Sequence, residues 1–191
     1  MVTDPPPRTA ALRKQFDASD ARPTLPLPPA ESLQAVTRAL SVALASEDPV
    51  AVRATGVEML QLLADFYETS CPGLEVLGAR PLTVAESYSF ELFGDYTPAT
   101  EVIRVWMRTA VREKVTSHRG LLNTLLHEYC HHLDVVSLGI PETPHTRGFF
   151  GRVDDLYHLA LATDPGKRKP LVWIKRGSIW RIDWNRLRRA R

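Results

Sequence analysis

Leu121 to Val136 reads LLNTLLHEYCHHLDVV, and inside it lies His127-Glu128-Tyr129-Cys130-His131, an H-E-x-x-H pentapeptide. Residues four apart on a helix sit about one turn apart on the same face, so both imidazoles can point at one metal ion. Glu128, one residue on, can then reach a water at that ion as general base. Leu122, Leu125, Leu126, Tyr129, Leu133 and Val136 recur at helical spacing and give the helix a face to bury. Isolated pentapeptides of this kind also arise by chance, and histidines on helices are commonly ordinary surface or core residues. A buried amphipathic helix that carries two histidines and a glutamate, however, calls for a metal to satisfy their polar atoms.

Upstream of this helix the hydrophobic period changes twice. Leu33, Val36, Thr37, Leu40 and Leu44 fall on one face and predict a helix from Ala30 to the Ser46-Glu47-Asp48 stop. A second helix is predicted from about Pro49 to Thr69, with Asp48 as N-cap, proline at the first helical position and Cys71-Pro72-Gly73 ending it. Leu74-Glu75-Val76-Leu77 then reads as a short strand. Ser87–Phe93 and Val102–Arg108 alternate like strands on either side of the turn cluster Gly94-Asp95-Tyr96-Thr97-Pro98, which predicts an antiparallel hairpin. Ser117 is the expected cap of the H-E-x-x-H helix.

Downstream, Ser137–Pro144 is rich in turn residues, and a further helix is expected from about His145 to Thr163, stopped by Asp164-Pro165-Gly166. The end of the chain places Arg176-Gly177 between two aromatic-rich runs and predicts a C-terminal β-hairpin. The elements together predict an α+β fold. Residues 30–166 form its main domain and 167–191 a basic hairpin or tail. Residues 1–29 hold seven of the fifteen prolines with little apolar periodicity, and are expected to be a disordered or loosely attached arm.

A catalytic zinc usually has three protein ligands and keeps a fourth position for water. Beyond His127 and His131 the candidates are Asp134, Glu142, His145, Asp154, Asp155 and His158. Asp134 lies one turn beyond His131, where it better serves to accept the remaining ring N–H of a ligand histidine. His145 follows a loop long enough to turn the chain back and is the preferred third ligand; Asp154, Asp155 or His158 on the next helix is the alternative. His118 and His132 are expected bystanders, His132 being rotated about 100° from His131.

The order helix, strands, HEYCHHLD helix, loop and then HTRGFF (His145–Phe150) resembles the SprT-like zinc metallopeptidases, which include Spartan-type proteases. The resemblance covers roughly residues 50–163. It implies a zincin-like domain in which a small antiparallel sheet precedes the active helix, His127, His131 and His145 bind zinc, and Glu128 is the catalytic base. It also implies hydrolysis of peptide bonds in a protein substrate, with Val102–Arg108 as an edge strand to which an extended substrate could add. The zinc ribbon that often follows in that family has no counterpart here. The chain has only Cys71 and Cys130, far apart, which also excludes a disulfide framework.

The 191 residues are 44% hydrophobic, enough for one core, with no apolar run of transmembrane length. The first residues, MVTDPPPRTAALRKQFD, lack the apolar core of a secretory signal, so a cytoplasmic protein is expected, without membrane partners. The net charge of +2 is unevenly spread. Residues 167–191 carry ten Lys/Arg against Asp183 alone, +9, while the rest carries 14 basic and 21 acidic residues, −7. Such an end suits a nucleic acid or acidic partner, a solvated surface, or a tail folded back on an acidic body. The non-enzymatic alternative is therefore a zinc-stabilised module that binds nucleic acid or protein through its C-terminus, with Trp173, Trp180 and Trp184 either stacking on bases or packing the hairpin.

Overall fold

A computed structural model describes residues 1–84 and 89–189. Helix α1 (Ala10–Asp20) is followed by α2 (Ala30–Ala45) and α3 (Pro49–Tyr67), which pack as a helical hairpin. Asp48 caps α3 by accepting from the Val50 amide, with Pro49 at the first position. Strand β1 (Gly73–Ala79) comes next, then the small antiparallel pair β2 (Leu82–Val84) and β3 (Ser89–Glu91). Ser87 and Tyr88, at the start of the expected alternating run, lie outside the described residues.

The main sheet has the order β1-β5-β4, with β4 spanning Gly94–Thr97 and β5 spanning Val102–Arg108. Two expectations are corrected here. The sheet is mixed rather than antiparallel, because β5 pairs in parallel with β1 from Gly73↔Val102 to Ala79↔Arg108. The partner of β5 in its antiparallel pair is β4, the stretch expected to be a turn. Its turn-like composition is offset across the strands: Asp95 accepts from Arg104 at 2.7 and 2.8 Å, and the chain reverses only at 98–101. It follows that β5 is the central strand and β1 and β4 the edges, the reverse of the edge role expected for Val102–Arg108.

Helix α4 (His118–Val136) lies across β4 and β5, its first turn capped by Ser117 accepting from Gly120. Leu122, Leu125, Leu126, Tyr129 and Leu133 face the core beside Leu33, Leu40, Leu60 and Ile103. Helix α5 (Arg147–Ala160) packs on α4 and α2, and its cap is Thr146, so His145 stands in the loop before the helix. Strands β6 (Trp173–Arg176) and β7 (Ile179–Ile182) form the C-terminal hairpin, with Gly177 at φ 60° in its turn. A short helix α6 (Trp184–Arg189) follows, its first amides donating to Asp183 Oδ1.

The N-terminal arm is the third correction, because residues 1–29 are built into the molecule. Met1 to Thr3 run along β7, with the Thr3 amide donating to the Trp180 carbonyl and the Ile182 amide to that of Met1. Asp20 accepts from the Arg147 amide and guanidinium, and Ser19 and Thr146 join their hydroxyls at 2.9 Å. Burial alone would raise the Asp20 carboxyl, but the bonds and charge of Arg147 outweigh it and hold the group below its ordinary value. Polar contacts more than 120 residues distant in sequence order this segment, so its local composition does not reveal them.

Candidate metal centre

His127 and His131 lie one turn apart on α4, and the loop after it folds back over the same face. The Ser137 and Leu138 amides close on the Leu133 carbonyl, Gly139 takes φ 66°, and the Ile140 amide returns to the Asp134 carbonyl. Asp4 then holds His145 through two backbone contacts: the His145 amide donates to Asp4 Oδ2 at 2.8 Å, and the Asp4 amide donates to the His145 carbonyl at 2.8 Å. The result is a triangle of Nε2 atoms, His127 to His145 3.0 Å, His127 to His131 3.1 Å and His131 to His145 3.1 Å. Phe149 stacks on His131 at 4.4 Å and Phe150 on His145 at 5.7 Å, so the first turn of α5 walls the imidazoles with aromatic rings.

Three ring nitrogens converge here, and hydrogen bonding fixes the proton of only some of them. Burial, with the neighbouring His145, lowers His127 to about 3, and burial with both neighbours takes His131 well below its ordinary value, so both rings are neutral. A neutral imidazole has one N–H. His131 Nδ1 lies 2.6 Å from the Thr143 hydroxyl, and that hydroxyl lies 3.2 Å from Asp134 Oδ2. The ionised carboxylate takes the hydroxyl proton, so Thr143 accepts from His131 Nδ1–H and the Nε2 of His131 is a bare lone pair. His145 has Asp4 Oδ2 3.5 Å from its own Nδ1, which biases it the same way. The lone pairs of His131 and His145 repel at this spacing unless a cation, or the Nε2–H of His127, sits between them. Tetrahedral zinc with bonds of about 2.0–2.1 Å sets ligand nitrogens roughly 3.3 Å apart, so the triangle is within a few tenths of an ångström of what that ion needs.

Among the described residues no further His, Cys, Asp or Glu joins the group, so the fourth position has no protein ligand of these types. The other candidates are engaged elsewhere. Asp154 and Asp155 both pair with Arg168, and His158 contacts Asp154 and the Thr163 hydroxyl. Glu142 is exposed and does not join the group. The direct acceptance of a ring N–H expected of Asp134 is corrected: it does not touch an imidazole, and the hydroxyl of Thr143 stands between. Its second oxygen binds Arg152 at 2.6 Å, with both side chains fully buried. Burial pushes Asp134 up to about 6 against the pull of Arg152 and Thr143, which leaves it ionised at neutral pH.

Glu128 is buried at 6% exposure, with its carboxylate beside Gly94 of β4. A side chain at Gly94 would come within 3.0 Å of Glu128 Oε1, so glycine there lets β4 pass close above the carboxylate. Burial, reinforced by Asp95, pushes the Glu128 carboxyl up to about 8. His118 is apart from the triangle, near the Thr37 carbonyl. His132 is also apart, but it has a structural part to play: fully buried, it bridges the Tyr96 hydroxyl on β4 and the Ser70 carbonyl at 2.9 Å each. Sequence reasoning passed over Asp4, Thr143 and the walls Phe149 and Phe150; of these only HTRGFF carried a visible signal.

Comparison of the chain with protein-family models, with curated proteins and with solved structures finds no match.

Proposed function

We propose that the chain is a zinc-dependent peptidase of the SprT-like, zincin type, acting on peptide bonds of a protein substrate. The observation that carries this reading is the three-histidine triangle with its open fourth position and Glu128 one residue along the same helix. HEYCHHLD and HTRGFF, the motifs of the resemblance, supply every member of that arrangement. Zinc held by His127, His131 and His145 would lower the pKa of a bound water to about 7 and polarise a carbonyl.

The residues of the chain do the rest. Glu128 takes a proton from the attacking water on its carboxylate and returns it to the nitrogen of the leaving amine. Burial alone leaves this carboxyl largely protonated near neutral pH, and a cation held by the three histidines would favour the carboxylate that this step needs. The outer edge of β4, beside Glu128, offers main-chain N–H and C=O groups to an extended substrate strand, with little demand on its sequence. No described helix is long and apolar enough to cross a membrane, and the reading includes a cytoplasmic location.

Glu128→Gln tests it. The variant is expected to keep its zinc and its thermal midpoint while cleavage of an unfolded protein such as casein falls by about 10²–10⁴-fold. Undiminished cleavage would sink the mechanism.

A second reading, a non-catalytic zinc module that binds nucleic acid through its end, draws on exposed Lys175, Arg176, Arg181 and Arg186 around the C-terminal hairpin. The basic end is partly used within the fold: Arg168 pairs with Asp154 and Asp155, and Lys169 donates to the Leu187 carbonyl. Trp173 packs on Phe150, and Trp180 lies under Arg147. A structural zinc site is normally closed by a fourth protein ligand, so the open position favours the peptidase.

A further inference from the structure

We propose that Thr143 is a positioning residue of the metal centre, whose hydroxyl decides which ring nitrogen of His131 carries the proton. The inference rests on the zinc reading of the triangle and goes beyond it, because Thr143 touches no metal and belongs to neither motif.

Two independent observations lead there. The first is conformational. Thr143 has φ 35°, in the left-handed region that favours glycine. The other non-glycine residues with positive φ among those described are Glu47, Glu68, Glu101, Glu113 and Ala162, none of them branched at Cβ. A threonine in this conformation is strained, and strain of this kind gathers where geometry serves a site. The loop uses glycine for the same purpose four residues earlier, at Gly139. What threonine adds at 143 is its hydroxyl.

The second observation is the place of that hydroxyl. It lies 2.6 Å from His131 Nδ1 and 3.2 Å from Asp134 Oδ2. Asp134 is fully buried and held ionised by Arg152, which is itself fully buried and donates to the Ser19 and Arg22 carbonyls as well. The hydroxyl has one proton, and the carboxylate commands it. Thr143 can then only accept from His131, which places the imidazole proton on Nδ1 and turns the Nε2 lone pair toward His127 and His145. Without the hydroxyl, only the Thr143 backbone still faces His131; the hold on Nδ1–H is weakened, and His131 can protonate Nε2 and close off the site. The backbone contribution of Thr143, its amide donating to the Ile140 carbonyl at 3.0 Å, needs no particular side chain, so the two roles are separable.

The test compares Thr143→Val, which keeps the branched shape and loses the hydroxyl, with Thr143→Ser, which keeps the hydroxyl. Zinc alone is titrated into the metal-free full chain by chelator competition, and the ring ¹⁵N shifts of His131 are read before metal is added. The valine variant is expected to bind zinc about 10–100-fold more weakly, with His131 shifted toward the Nε2–H tautomer. The serine variant is expected to stay within about threefold of wild type with His131 as Nδ1–H. Should valine at 143 prevent folding, Thr143→Gly relieves the backbone and removes the hydroxyl, and is expected to show the same loss. Wild-type affinity in the valine or glycine variant, or a serine variant as weak as valine, overturns the proposal. A wild type that takes up no zinc contradicts the zinc reading instead; the His131 tautomer in wild type and valine variant then still decides the part played by Thr143.

Discussion

Arg152 and Asp134 are the pair on which the interior of the site depends. Neither was expected to meet the other, and Arg152 was not singled out at all, since a lone arginine between Gly151 and Val153 carries no periodic signal. Both side chains are fully buried, so each charge is tolerable only because of the other and of the carbonyls of Ser19 and Arg22. Removing one member leaves a buried charge without a partner. Arg152→Ala is expected to destabilise the protein by about 3–5 kcal/mol in urea unfolding. A loss below about 1 kcal/mol would mean that water reaches Asp134 and that the pair is not sealed. The residues of the triangle itself were within reach of sequence reasoning because H-E-x-x-H fixes two of them by helical spacing. His145 was the preferred of six candidates, and the fold of residues 137–146 is what brings it to the other two histidines. Thr143 was out of reach, because its importance lies in a backbone angle and two long-range bonds.

Helices with a clear apolar stripe and a local cap were readable from the chain: α2, α3 and α4 lie where the spacing of Leu33 to Leu44, the Asp48-Pro49 start and Ser117 put them. The strands were less so. A parallel β1–β5 pair joins residues nearly thirty apart and leaves no mark on local alternation, and the four residues of β4 look like a turn. Helix α1 hid for a different reason: its surface is polar, with Phe16 and Ser19 its buried residues, and it is held by α5, on which it docks. Gly148, in the first turn of α5, is where the two helices touch most closely. A Cβ there would strike the Ser19 carbonyl, so glycine sets the distance. Gly148→Ala improves the helix propensity of α5 but forces α1 away. It is expected to cost about 1–3 kcal/mol overall, with amide protection lost selectively over residues 10–20. Protection unchanged along α1 would show that the contact relaxes without undocking.

Taken together, the molecule brings its two ends to its centre. The first three residues run along β7, Asp4 then carries the strand to His145, α1 closes over Arg152, and Trp173 of the C-terminal hairpin backs Phe150 behind His145. The core of α2, α3, α4 and the sheet presents His127, His131 and Glu128, while the termini brace the loop that brings His145. Composition alone suggested a tail and an arm hung on a domain, because pairing between residues 1–20 and 142–182 is invisible to any local window. The proposed activity depends on this convergence holding a metal. Elemental analysis of the purified chain, after zinc has been supplied, and of His145→Ala treated in the same way, tests that most directly. The three-histidine centre predicts about one zinc per chain in the wild type, lost or much weakened in the variant. An absence of zinc from both, or its full retention in the variant, would contradict it.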